Sequence, residues 1–202
     1  MVSVWILVVL LVLLLFGWFL WSAATRIDKL HRKVVASRIS LDKQLQRRAG
    51  ASIDIAVSNL LDPASAMMLA NEAYDVIDDQ DQIEEPEHAF DLKGFTNQRE
   101  LEESELSQCL RQVFPDEDAI CEIRANPIGD QLVYRIASSW YRAGLVRRFH
   151  NQAVANVRAA RRQWYVRFFH LAGHAALPET CEMDDAMSPA LAAAAATPPI
   201  SA

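Results

Sequence analysis

The sequence predicts an all-α protein, a single N-terminal transmembrane helix followed by an antiparallel bundle of long helices. Three observations carry that prediction. The run from Val2 to Trp21 is apolar, interrupted only by Ser3 and Gly17, and holds no charge. Beyond it, apolar side chains return at spacings of three, four and seven, the period of one helix face, with no strand-like alternation of useful length. Only six glycines and eight prolines punctuate 202 residues, so long helices can run uninterrupted.

The anchor comes first. Twenty helical residues rise about 30 Å, the thickness of a bilayer's hydrocarbon core. Trp5 stands near one end and Trp18 and Trp21 near the other, where indoles favour the headgroup boundary. Ser22-Ala23-Ala24 has the small residues of a signal-peptide cleavage site, but no basic residue precedes the apolar run, and the run exceeds the usual length of a signal core. A retained anchor, residues 1–25, is therefore expected. Basic residues beside a span resist translocation, which places the body in the cytoplasm and a short N-terminus outside the cell membrane. Arg26, Lys29, Arg32 and Lys33 would then lie at an anionic inner leaflet.

Ile27, Leu30, Val34, Leu41, Leu45, Ile53, Ala56 and Leu60 continue the helical pattern, predicting one helix from Val2 to Leu61. Asp62-Pro63 caps and opens a second helix, Ala64 to about Ile77, burying some of Met67, Met68, Leu69, Ala73 and Tyr74. These make up residues 26–77. Residues 78–96, dense in Asp and Glu around Pro86, read as a solvated linker. Asn97 and Glu100 have the spacing of a capping box for a helix to about Val113, with Leu106, Leu110 and Val113 on one face. The strongest periodicity runs from Leu132 to Leu171 through Ile136, Trp140, Ala143, His150, Val157 and Trp164, predicting a rod of about 60 Å. It matches the stalk in length, so the two should pack antiparallel within a bundle completed by residues 97–177. The Ala- and Pro-rich residues 178–202 are expected to be disordered.

Charge is sorted along the chain. Ser22–Gly50 carries +6, Ala51–Asp130 carries −16 and Gln131–Ala202 carries +4, which leaves the net −6. Such blocks attract one another or separate partners.

Two segments then resemble a known family. Leu41-Asp42-Lys43-Gln44-Leu45-Gln46-Arg47-Arg48 resembles the Ile/Val-Asp-x-Gln-Leu-x-Arg-Arg segment of the LemA family. Arg147-Arg148-Phe149-His150-Asn151-Gln152-Ala153-Val154 resembles that family's Arg-x-Tyr/Phe-Asn-Asp-x-Val segment, and its surroundings are similar to an actinobacterial LemA-like branch. The resemblance implies a membrane-anchored antiparallel helical bundle of unresolved molecular function. It singles out Asp42, Gln44, Arg47, Arg48, Arg147, Arg148, Phe149, Asn151 and Val154 as structural or interaction residues. Gln152 stands where the family often has Asp, and the acidic insertion from Asp78 to Gly94 is a second departure. From the residues themselves, Asp42 can reach Gln46 one turn on, and Asn151 can bond across to a facing helix and fix its register.

Enzymatic chemistry finds little support. A Nudix-type hydrolase, a label carried by some proteins of that branch, needs a carboxylate cluster for its divalent ion. Gly94 has Glu100 at the right offset, but Gln108-Cys109-Leu110-Arg111 stand where the cluster belongs. His170 and His174 are four apart, but Gly173 lies between them and no third ligand follows at a diagnostic spacing. Cys109, Cys121 and Cys181 form no Cys-x-x-Cys pair and read as reduced thiols. No catalytic residue, metal or cofactor is assigned. Arg142, Arg147, Arg148, Arg158, Arg161, Arg162 and Arg167, interleaved with Trp164, Tyr165 and Phe168, could meet anionic lipid, nucleic acid or the chain's own −16 segment. The acidic net charge and the lack of a base-reading motif weigh against nucleic acid. The expectation is a non-enzymatic, single-pass membrane scaffold with protein partners or self-association. The Nudix-type hydrolase and the anionic-lipid or nucleic-acid module are the alternatives.

Overall fold

The structure, a computed structural model, describes residues 2–81, 95–173 and 175–199. Among them the protein is all-α, with no strand. Helix α1, Val2–Ala56, runs 55 residues without a break. It ends five residues before Leu61, where Ser58 Oγ turns back to the Ile55 carbonyl and Asn59 adopts a left-handed conformation (φ 59°). Asp62 Oδ1 accepts from the N–H groups of Ala64 and Ser65, which starts α2, Pro63–Asp81, as the Asp-Pro pair predicts. Leu69, Ala73 and Val76 are its buried face; Met67 and Tyr74 are exposed. Because α2 continues to Asp81, the first acidic residues of the expected linker are helical. Residues 82–94, most of that linker, lie outside the described residues.

Helix α3 spans Asn97–Val113 and buries Leu106, Leu110 and Val113. Its cap is Thr96, one residue earlier than expected, whose hydroxyl accepts from the Arg99 N–H at 3.1 Å. Glu100 makes no capping box, because Oε1 instead accepts from the Glu182 backbone N–H at 2.9 Å. A short α4, Glu117–Arg124, capped by Asp116, fills the stretch between Pro115 and Pro127. Helix α5, Pro127–Arg161, is capped by Asn126.

Two expectations for the C-terminal third fail. The long rod does not reach Leu171: Gln163 turns extended (φ −64°, ψ 136°), and a separate α6, Trp164–Phe168, follows. The break carries no proline or glycine. It lets Tyr165 and Phe169 pack on α1, a tertiary contact that overrides the local period. Residues 178–199 are not disordered, either. They cross the bundle as an extended strap and end in α7, Pro189–Ala196, opened by Ser188 as cap with Pro189 in the first turn. Ala190, Leu191 and Ala194 are buried in the main core.

Helices α1 and α5 are antiparallel. Val34 meets Val154, Ser37 meets His150, Arg48 meets Trp140 and Asp54 meets Arg135, one index rising as the other falls. The core thins along this pair. The largest cluster joins the C-terminal part of α1 to α2, α3, α4, α5 and α7. A smaller one holds Leu41, Leu45, Ala143, Cys181 and Met183, and the last, nearest the apolar end, holds Val34, Ala153, Val154 and Val157. Val4–Trp21 lies outside the three core clusters, touched by α6 at Phe16 and Phe19, with none of its side chains buried. It belongs to the one helix among the described residues that is long and apolar enough to cross a membrane.

Candidate functional site

Two polar constellations occupy the body, and the resembling segments contribute to both. The first is buried. Arg48 projects from α1 toward α3, where Nη1 donates to Ser107 Oγ at 2.7 Å and Nη2 donates to both Glu103 Oε2 (2.6 Å) and the Glu103 carbonyl (2.8 Å). Arg99, one turn before Glu103, brings Nη2 within 2.8 Å of Oε1 without hydrogen-bond alignment, and its Nη1 donates to the Val76 carbonyl at the flank of α2. Arg48, Arg99 and Glu103 are each no more than 1% exposed. The guanidinium of Arg48 also lies 5.4 Å from the Trp140 ring on α5, a cation–π contact. Two cations therefore share one carboxylate in the core, and Arg48 Nε, Arg99 Nε and Trp140 Nε1 have no hydrogen-bond partner. Such a cluster contributes register more than net stability, because desolvation of the charges offsets most of their attraction. Its four-helix reach fixes how α1, α2, α3 and α5 meet.

The second constellation holds the strap against α5. Arg147 forms a two-pronged pair with Asp185, Nη2 to Oδ1 at 2.7 Å and Nε to Oδ2 at 3.0 Å. Asn151 makes a reciprocal pair with the backbone of Cys181, donating to its carbonyl at 3.1 Å and accepting from its N–H at 2.9 Å. Arg158 donates to the Pro178 carbonyl, and Arg161 to the carbonyls of Ala175 and Ala176. From the opposite side α3 contributes Glu100, Ser104 and Arg111, the last donating to Asp184 at 2.6 Å and to the Ala186 carbonyl. Most of these bonds end on backbone atoms, so the strap is held as a peptide lying in a groove.

The remaining singled-out residues separate. Asp42 accepts from Gln46 Nε2 at 3.5 Å, the one-turn contact expected from spacing. Gln44 and Arg47 line an open groove between α1 and α5 with Asp54, Arg135, Ser139 and Arg142. Arg148 and Phe149 are exposed, and Val154 is buried against Val34. Spacing suggested that Asn151 would bond to a facing helix, but it bonds to the strap. The sequence reading missed Arg99, Glu103 and Ser107. Their signal was there, since Arg99, Glu103, Leu106 and Leu110 follow one another at four, three and four, so charged residues sit on the apolar face of α3.

The titratable groups follow their burial. Burial pushes the Cys181 thiol up to about 12, with Glu100 adding to it, and the Cys109 thiol up to about 11, with Glu72 adding to it. Both stay protonated and unreactive. All three cysteines are free. His150, on Ser37 Oγ at 3.0 Å, is held below its ordinary pKa by burial, with Arg38 adding to it. His31 is lowered by burial and by the neighbouring Arg161. His170 is exposed, and His174 lies outside the described residues. Among the described residues no cluster of His, Cys, Asp and Glu has the makings of a metal site. Comparison with known protein families, with curated proteins and with solved structures finds no match for this chain.

Proposed function

We propose that this chain is a membrane-anchored, LemA-like scaffold, a non-enzymatic interaction module at the inner face of a cell membrane. The observation that carries the reading is α1 itself. One unbroken helix joins the exposed apolar stretch Val4–Trp21 to the buried seam of Leu41, Leu45 and Ile55, so whatever solvates the stretch also positions the body. Exposed apolar side chains of the body are scattered, whereas eighteen consecutive residues of α1 leave apolar surface open, which lipid covers more favourably than water does.

Further support comes from what the resembling segments do. Arg48, Arg147 and Asn151 spend their hydrogen bonds on this chain's own backbone, carboxylates and the Ser107 hydroxyl, the behaviour of framework residues. Of the arginines weighed for nucleic acid, Arg142, Arg147, Arg158 and Arg161 are likewise committed within the chain. Scaffolding predicts neighbours. Crosslinking of the full chain in intact cells, followed by mass spectrometry, should recover crosslinks to other membrane or cytoplasmic proteins or to a second copy. Recovery of the monomer alone would overturn the reading. The orientation has its own test: a reporter fused after Ala202 should be active in the cytoplasm, and activity only outside would reverse the topology.

A further inference from the structure

Helix α6 does not stop short of the apolar stretch; it packs beside it. Phe169 meets Phe16 edge-on with centroids 5.6 Å apart, and Tyr165 meets Phe19 at 5.3 Å. Along the axis of α1, Phe19 lies about 3 Å and Phe16 about 8 Å inward of Trp21. If the stretch crosses a bilayer, α6 stands at the depth of the headgroup–acyl boundary.

Its outward face fits that place. Trp164 and Phe168 are 74% and 72% exposed, more than any other aromatic side chain of the body among the described residues, and each leans on a ring that contacts α1. Arg162 and Arg167 are exposed beside them, and on the adjoining turns of α1 Arg26, Lys29 and Lys33 are exposed, with Arg32 paired to the exposed Asp28 at 2.7 Å. The unit is also rigid. Val166 is buried, and the N–H groups of Leu171 and His170 close on the carbonyls of Val166 and Arg167, with His170 in the left-handed conformation (φ 50°) such a cap requires.

We propose that residues 162–171 form a second membrane contact, an aromatic knuckle seated at the boundary of the inner leaflet with its arginines on anionic lipid phosphates. The proposal rests on the reading that Val4–Trp21 crosses a membrane. A lipid surface is the occupant because the knuckle is continuous with that stretch through two ring contacts and because Arg162 and Arg167, the exposed charges that flank Trp164 and Phe168, are both positive.

Nitroxide labels on the full chain in vesicles of phosphatidylcholine and phosphatidylglycerol test it, with Cys121→Ser removing the exposed native thiol. Labels enter through Leu13→Cys, Phe168→Cys and Tyr141→Cys, and collision with oxygen and with a water-soluble nickel chelate reports depth. The Leu13 site should be oxygen-rich and nickel-poor and the Tyr141 site nickel-accessible. At the Phe168 site nickel collisions should fall on the order of fivefold below the Tyr141 site, with oxygen retained. A deep Leu13 site with an aqueous Phe168 site overturns the knuckle and leaves the anchor standing. A Phe168 site shielded from both reagents means that protein covers it, a second copy in place of lipid, and also overturns the proposal. An aqueous Leu13 site removes the anchor reading and the knuckle with it.

Discussion

The two ends of the bundle are built differently. At the end far from the apolar stretch, six helices converge on one core through side chains such as Leu69, Leu110, Ile136 and Leu191. At the near end, α1 and α5 meet through Val34, Ala153, Val154 and Val157, with the strap laid along α5. The far end holds the larger share of the buried apolar side chains. The near end substitutes polar bonds to a backbone for missing helices, which teaches that stability in this molecule is graded along its axis.

Removing Glu103 tests the far end most severely. Glu103→Ala leaves Arg48 and Arg99 buried without a counter-charge and should cost about 3–5 kcal/mol by denaturant unfolding of the detergent-solubilised chain. Replacing Arg48, Arg99 and Glu103 together by Met, Met and Leu should recover most of that loss. Asn151→Ala tests the near end, stranding the Cys181 N–H and leaving the Cys181 carbonyl with Arg147 Nη1 alone. A cost of about 2 kcal/mol is expected, with faster proteolytic cleavage within 175–187 and little change in α2 or α3. A larger cost for Asn151→Ala than for Glu103→Ala would reverse the gradient.

Acid should loosen the near end selectively. Burial holds the folded-state pKa of His150 below 6.5, so as pH falls the unfolded chain takes up the proton first. Stability contributed above pH 6.5 is then lost in the interval beneath it, toward the lowered value of the folded state. Unfolding measured at about pH 8, above the unfolded-state value, and at about pH 5 should show a steeper decline for wild type than for His150→Gln. The smallest effect belongs to the turn after α6. His170→Gly relieves a left-handed backbone and should raise stability by under about 1 kcal/mol, read as a small rise in Tm.

How much of this was legible in the sequence follows the same gradient of locality. The apolar stretch of α1, α2 with its Asp62-Pro63 start and the face of α3 rest on neighbours within a turn or two, and local pattern reports them. The strap escaped because Arg147, Asn151, Arg158 and Arg161 hold it chiefly by its backbone, which every residue possesses, so the segment needs no apolar pattern of its own. Helix α7 looked like a low-complexity tail, although Ser188-Pro189 before a run of alanines is a helix start. Arg48 was singled out by resemblance, while its partner Glu103 lies 55 residues away and only packing joins them.

The continuity of α1 has a mechanical consequence. Ala56 lies roughly 50 Å along the axis from Trp21, and no hinge separates them. A bilayer whose thickness changed enough to tilt the helix by about 10° would therefore swing the far core sideways by roughly 9 Å. If the stretch crosses a bilayer and α6 seats on it as proposed, contact on that one side of the axis gives the swing a direction as well as a size.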